Sequence, residues 1–534
     1  MASQGMFKNI HIYFLAIVAY WGILLFGYDT GVAGGVITQK AFKDNFGLAN
    51  ATKAHADAVG SNVVAVLQGG AFFGALGSAP ISSAIGRKWT LEIFALVFCL
   101  GAILQTVAGD GRGLGYIYGG RVVAGVGIGA ISAVAPAYVS ESAPRDVRGR
   151  ITGLFQIFVA TGVMLSYFVN YGVAQHIPEG PMVWRVPFGL QLVPGGIMAL
   201  GLIFTKESPR WLAQKGRNEE ALANLAFLRR AHRDDPDVRA ELAEIEAAIV
   251  EEKEARVGLG LKEAFFGKGN FIRFVIAFAM FTFQQFSGQN SVGYYAPQIF
   301  QSIGYTGTSA SLLASGVYGI VKVAATAIFV FFGIETIGRR YALFTSSLWM
   351  GTLFFIIGAL LKTHPPDPTS DIVQPASKAM AALLYIYVVG YSFGWGPVPW
   401  IYVSDIFPTR TRHYGLSLAS GTQWLFNFVI SKITPTMQTN LGYKIFMTFA
   451  TINILGMAVF SFFLPETKGR SLEEMDVIFG SVTQEHRDAD LRKTQKAMDN
   501  DLGTSHIGTG VVRSDSDSSG EKARVQEAEI AQKV

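Results

Sequence analysis

Twelve apolar stretches of about 20 residues run through this chain, each long enough to cross ~30 Å of hydrocarbon as a helix. They fall at about 12–37, 61–83, 90–109, 114–137, 150–172 and 185–206. After a charged interval they resume at 271–300, 310–333, 342–362, 378–402, 413–434 and 443–464. In lipid every backbone N–H and C=O must be satisfied inside the protein, so unbroken spans of this length are read as α-helices. The expected fold is an all-α membrane protein. Only 16% of the 534 residues are charged, too few for the surfaces of a soluble chain this long. The 40 Phe and 60 Gly suit lipid-facing and closely packed helices.

One short signal occurs twice. Ile85-Gly86-Arg87-Lys88 and Ile337-Gly338-Arg339-Arg340 each follow the second apolar run of a half-chain. A basic turn recurring between corresponding spans points to a carrier made of two similar six-helix bundles, at 12–206 and 271–464. Further basic residues mark alternate connections: Arg145, Arg148 and Arg150, then Arg410 and Arg412. Positive loops stay on the cytoplasmic side, which places both termini inside. The net charge of +5 is thereby explained by topology, and no nucleic-acid partner is expected. Asn50-Ala51-Thr52, a glycosylation sequon, falls on the opposite side.

The interval 207–270 differs in kind. Glu219–Arg230 and Asp237–Glu254 carry Ala and Leu at helical spacing among dense charges, as amphipathic helices bridging two bundles on the cytoplasmic face would. Residues 1–11 form a cytoplasmic N-terminus and 465–534 a cytoplasmic tail, read as largely disordered after 480. Ser471-Leu472-Glu473-Glu474 is a capping box that starts a short helix. The first stretch contains Asp29 and exceeds the length of a signal-peptide core, so it reads as a signal-anchor span. Cys99 is the one cysteine, which excludes a disulfide framework and a cysteine metal site. No His or carboxylate motif for metal, phosphate or nucleophilic catalysis occurs, so neither an enzyme nor a cofactor is expected.

A charge near the bilayer centre costs about 2.5–3.5 kcal/mol even on the lenient insertion scale. Asp29, Arg121 and Lys322 lie inside spans and each needs an explanation. A carboxylate that alternately pairs with Arg and takes a proton is the simplest proton-coupling device; a permanent Asp29–Arg121 ion pair is the rival reading. Lys322 either pairs with an internal carboxylate, meets an anionic substrate, or sits deprotonated in a dry site. Gly125 and Gly129 follow Arg121 at i+4 and i+8 and line one helix face for close packing.

The seventh span carries Gln284, Gln285, Gly288, Asn290 and Tyr294. Amides and phenols interrupted by Gly suit a broken helix that binds hydroxyls at mid-membrane. Gln156, Trp400, Gln423, Trp424 and Asn427 add amides and aromatic faces from other spans. Such a set reads a polyhydroxylated small molecule, although Asn427 alone is equally explained as interhelical glue.

With these residues in hand, the chain resembles the sugar-porter family of the major facilitator superfamily. The matching signatures are Arg121-x-x-x-Gly125-x-Gly127-x-Gly129, Pro136–Glu141 through Arg148-Gly149-Arg150, and Glu207-Ser208-Pro209-Arg210-Trp211-Leu212. Gln284-Gln285 with Asn290, Gly396-Pro397-Val398-Pro399-Trp400 and Pro465–Arg470 complete them in family order. The resemblance implies twelve helices in two halves and alternating access. It implies sugar-contacting positions at Gln156, Gln284, Gln285, Asn290, Tyr294, Trp400, Gln423 and Trp424, and a proton-coupling pair at Asp29 and Arg121. It also implies cytoplasmic latches in the outward-open state from Arg87, Glu141, Arg148, Glu207, Arg210, Arg339, Asp405 and Glu466. The acidic residue three before the basic turn is kept as Glu335 in the second half, but is Ser83 in the first.

The eighth span departs from the family pattern, with Gly319 where an Asn is usual and Lys322 one turn on. That segment resembles the fungal quinate-permease-like and galacturonate-transporter branch, where Lys322 would answer a carboxylate. The resemblance therefore implies a monomeric plasma-membrane symporter of protons with a sugar acid or quinate. A neutral hexose or pentose transporter is the alternative, and a transporter-like nutrient sensor is the alternative from another class.

Overall fold

The computed structural model describes residues 9–480, apart from 110, 257–259, 268, 306, 334–335, 368–372, 409 and 471. Side chains at 145–146, 148–150, 152, 255–256, 261, 472–473 and 476 also lie outside the description. The chain forms two units, 1–479 and 480–534, and of the second only Gly480 is described. The described residues are helical throughout, with no strand among them.

The first six apolar stretches become α1 (Ile10–Thr38), α2 (Lys53–Ile85), α3 (Arg87–Thr106), α4 (Leu114–Ser142), α5 (Arg145–His176) and the pair α6 (Met182–Gly189) and α7 (Leu192–Ile203). Several run past the expected apolar bounds because polar ends extend them. Thr52, for example, starts α2 eight residues early by accepting the His55 N–H at 3.3 Å. The charged interval holds α8 (Pro209–Gln214), α9 (Asn218–Arg229), α10 (Pro236–Arg256) and α11 (Leu261–Phe266). Its apolar stripe is buried internally: Ala221, Leu225 and Ala226 pack with Trp211, Leu212, Val238 and Leu242.

The remaining stretches become α12 (Asn270–Phe286), α13 (Gln289–Tyr294) and α14 (Ala296–Ser302); α15 (Thr308–Ile328), running into a π-helical turn; and α16 (Arg339–Thr363). Then follow α17 (Pro375–Ser392) and α18 (Val398–Ile406), α19 (Arg412–Leu441), and α20 (Lys444–Thr451), which continues through a second π segment to α21 (Val459–Phe463). A short α22 (Leu472–Ile478) follows; Ser471 of the expected capping box lies outside the described residues. Arg273, fully buried on α12, donates to Met475 O at 3.3 Å and so holds α22.

Nine of the described helices are individually long and apolar enough to cross a bilayer. The three spans that fall short are the seventh, tenth and eleventh, and each fails for a local reason. The seventh breaks at Gly288, whose φ of +93° suits a residue without Cβ. The tenth breaks at Gly394-Trp395-Gly396-Pro397, between α17 and α18. The eleventh, α19, is continuous but carries Gln423, Asn427, Lys432, Thr434 and Gln438. Broken or polar spans occur in membranes where they line a cavity or pack inside protein.

Close packing is done by glycine. A Cβ on Gly125 or Gly129 of α4 would run into the backbone of Leu67 or Ala71 on α2. Gly70 and Gly74 of α2 face the backbone of Val122 and Val126 in return. The glycine run expected to line one packing face is thus one side of a reciprocal contact.

Candidate transport site

The two basic turns have the same architecture, 252 residues apart. In the first, the Glu207 carboxylate accepts the N–H groups of Arg87 (3.0 Å), Lys88 (3.1 Å) and Ser208 (2.8 Å). The Arg87 guanidinium grips Glu141 at 2.9 Å, and Ser208 Oγ donates to Glu141 at 2.6 Å. In the second, Glu466 accepts the N–H groups of Arg339 (2.8 Å), Arg340 (3.0 Å) and Thr467 (3.0 Å). Arg339 approaches Asp405 at 3.8 Å, and Thr467 Oγ1 donates to Asp405 at 3.0 Å. Tyr138 and Tyr402 complete the match by donating to the backbone carbonyls of Lys206 and Pro465. Each glutamate therefore sits on the N-terminus of a long helix, α3 or α16, where free N–H groups and the helix dipole favour an anion.

A side chain at Gly86 or Gly338 would strike that glutamate, which explains the glycine of the repeated signal. Burial pushes the Glu207 carboxyl above its ordinary range, with the three N–H donors and Arg87 opposing. In this state the latch residues bond within one half, not across the two. Arg210 pairs in this state with Glu252 of α10, inside the charged interval. Glu335 and the side chain of Arg148 lie outside the described residues. The carbonyl of Ser83 accepts the Trp211 indole at 3.0 Å.

Asp29 and Arg121, 92 residues apart in sequence, meet at 2.7 Å, and both are buried to 1% exposure or less. Arg121 Nε also donates to Val63 O at 2.7 Å. Asp29 Oδ2 and Arg121 Nη2 are left buried with no partner among the described residues.

At mid-depth the expected amides form one polarised network centred on Asn290. Asn290 Nδ2 donates to Asn427 at 3.2 Å and to Gln285. Gln285 donates to Gln284 at 3.3 Å, and Gln284 donates to Trp395 O at 2.7 Å. On the other arm Asn427 Nδ2 donates to the Tyr294 hydroxyl at 2.9 Å. Tyr294 donates in turn to the Gln68 carbonyl at 3.1 Å, in the amide orientation that satisfies the neighbours of Gln68. Gln68 belongs to the first half of the chain, so this arm joins the halves. Asn427 does serve as interhelical glue, but within the same network that links the expected substrate amides.

The aromatic positions flank it. Trp424 meets Phe26 edge-on at 5.2 Å, and Trp400 meets Phe281 at 4.6 Å. Gln156 makes no hydrogen bond to a described residue, and Gln423 Oε1 is buried without a described partner. Lys322 is half-buried on α15 and forms neither hydrogen bond nor ion pair with any described residue. The reading in which it pairs with an internal carboxylate therefore finds no such carboxylate here. One turn away, a Cβ on Gly319 would press on Met164 of α5, so glycine lets α15 approach α5 beside Lys322.

Sequence reasoning missed the contacts between the halves at the end opposite the basic turns. There Lys432 of α19 donates to Ser61 Oγ at 3.2 Å and to Asn62 Oδ1 on α2. Thr439 donates to Asp57 at 2.6 Å, and Gln298 to Gly34 O at 3.1 Å. Tyr167 donates to Gly293 O. A second intramembrane lysine was the available signal. By contrast, residues 153–159 of α5, toward the basic end, are all partly exposed. Hydrogen bonds between the halves thus close the end opposite the basic turns.

These helices, the repeated turn and the central amide network define a major facilitator transporter, not an enzyme. The chain belongs to the sugar (and other) transporter family, whose model matches residues 15–479. It is 38% identical over 476 residues to a probable quinate permease of Aspergillus niger, covering 88% of each chain. It is 35% identical over 515 residues to the quinate permease of Emericella nidulans, covering 95% of this chain and 96% of that one. Among solved structures, the partially occluded inward-open conformation of the xylose transporter XylE from E. coli superposes with TM-score 0.72 at 26% identity. That match covers 86% of this chain and all of XylE. The proton:xylose symporter XylE bound to 6-bromo-6-deoxy-D-glucose superposes with TM-score 0.73 at 27% identity, covering 88% of this chain and all of that one.

Proposed function

We propose that the chain is a proton-coupled importer of a quinate-like polyhydroxy carboxylate, working by alternating access at the plasma membrane. The observation that carries this reading is Lys322, a cation within a span with no described counter-charge. An ammonium at that depth is costly unless an anion meets it, and a substrate carboxylate is the anion that a carrier cycle supplies. The quinate permeases among the relatives support the same class. The amides of Gln156, Gln284, Gln285, Asn290 and Gln423 read hydroxyls, while Trp400 and Trp424 supply faces for the ring. Asp29 carries the proton on its unpartnered Oδ2, and Arg121 holds the carboxylate once the proton leaves.

With Arg and Lys loops inside, the basic end is cytoplasmic and both termini face the cytoplasm. The state described is then closed outside. The linkages of Glu207 and Glu466 brace each half, and they meet the other half when the inner end closes.

The test is labelled uptake in a transporter-deficient yeast, comparing quinate and galacturonate with glucose and xylose at acidic and neutral pH. Acid uptake that is stimulated by protons and lost in Lys322→Ala is the expected result. The second reading, a neutral hexose or pentose carrier, is favoured by the amide network and by the xylose transporter among the structural neighbours. Sugar uptake that survives Lys322→Ala, with no acid flux, would establish it. Current separates the two at equal stoichiometry: one proton with a neutral sugar moves a charge, worth ~2.3 kcal/mol per 100 mV, whereas one proton with a monoanion moves none.

A further inference from the structure

Lys432 is a second intramembrane lysine, and its partners are unusual for a structural latch. Its ammonium spans the closed end from α19 to α2, yet it rests on an amide oxygen and a hydroxyl, Asn62 and Ser61. The next carboxylate toward the start of α2, Asp57, accepts from Thr439 instead. A purely mechanical clasp between two helices is served by neutral groups or by an opposite pair, which does not leave a charge uncompensated. Hydrogen bonds to neutral oxygens hold the ammonium in place and leave its charge available to an anion.

Its position fits that use. Lys432 lies five residues beyond Asn427 on α19, or roughly 7.5 Å further from the basic end at 1.5 Å per residue. Its partner Asn62 directly precedes Val63, whose carbonyl holds Arg121. Lys432 therefore stands further from the basic turns than the amide network, beside the segment of α2 that holds Arg121.

We propose that Lys432 is the outer-mouth cation of the transport path. As α2 and α19 part, its ammonium leaves Asn62 and Ser61 and takes the carboxylate of an incoming polyhydroxy acid, which then passes inward to Lys322. Gate opening and anion capture become one event, because the group released by the first performs the second. This role is a positioning one, upstream of the central site, and it rests on the carboxylate reading and the orientation given above.

The test is the concentration dependence of labelled quinate uptake in whole yeast, with surface abundance measured for each variant. Lys432→Gln keeps a donor for Asn62 but removes the charge; it should raise KM about tenfold or more and leave the maximal rate per molecule nearly unchanged. Lys432→Arg should restore most of the affinity, and Asn62→Ala, which breaks the clasp but keeps the charge, should leave KM near wild type. If Lys432→Gln leaves KM unchanged, or if Asn62→Ala raises it equally, Lys432 is only a clasp and the proposal is overturned. Should Lys432→Gln fail to reach the surface, the wild type decides: its KM must rise with ionic strength at constant osmolarity, and a flat response overturns the idea. A wild type that carries neutral sugar but no acid overturns the substrate reading and this one together. Acid uptake with an indifferent Lys432 overturns this one alone.

Discussion

Asp29 and Arg121 illustrate what a single residue contributes here. Each is a charge buried to 1% exposure or less, and each is tolerated because the other neutralises it. Removing one partner leaves the other uncompensated, which costs ~3–5 kcal/mol for a buried pair. Arg121→Met and Asp29→Asn should therefore each lower the unfolding midpoint of detergent-purified protein, because each leaves a fully buried group without its counter-charge. An unchanged midpoint in either variant would contradict this account of the pair. The functional expectation concerns Asp29 itself: Asp29→Asn should abolish uphill accumulation while exchange at equal concentrations persists. Uphill uptake at wild-type level in that variant would remove Asp29 from coupling.

At the scale of helices, the fit between α2 and α4 depends on which glycines face a neighbour's backbone. Gly74 and Gly77 lie on the same helix, but a Cβ at Gly74 would meet Val126 whereas one at Gly77 meets nothing within 4 Å. Gly74→Ala should cost about 1–3 kcal/mol by overpacking. Gly77→Ala should be neutral or gain up to about 1 kcal/mol from helix propensity. Thermal unfolding of the two variants side by side decides it, and equal midpoints would refute the packing assignment.

The cap that Glu207 places on α3 makes a pH prediction. Burial raises its folded-state pKa, so the folded protein holds this proton more tightly than the unfolded chain. The stability it contributes is fully present below the ordinary value of 4.5 and is lost as pH climbs through the raised one. The stability of wild type relative to Glu207→Gln should accordingly fall with rising pH in that window. A difference that stays flat from the ordinary value to neutrality would count against it.

On the scale of the whole molecule, closure opposite the basic turns is carried by Lys432, Thr439, Gln298 and Tyr167. Asp57→Cys with Thr439→Cys, in a Cys99→Ala background, joins two positions whose side chains touch at 2.6 Å in this state. A short thiol cross-linker should block transport, and reductive cleavage should restore it. Unimpaired flux in the cross-linked protein would show that this end does not open during the cycle.

The sequence alone determined the number and approximate place of the spans, because bilayer thickness and backbone satisfaction leave a twenty-residue apolar run few alternatives. It also marked the basic turns and the break at Gly288, which are local in the chain. It named Asp29, Arg121 and Lys322 as charges needing an explanation, since the cost of burying a charge is a property of the residue and its depth. The Asp29–Arg121 pairing was already among its expectations, but tertiary structure alone decided that Glu207 is answered by the N-terminus of α3, Lys432 by Asn62 and Ser61, and Lys322 by nothing described. It also gave Arg210 to Glu252 in this state. Partners lie 42 to 371 residues apart in these cases, and no spacing rule reaches that far. They are fixed only when glycine-lined helices approach closely enough to bring particular side chains within hydrogen-bond distance.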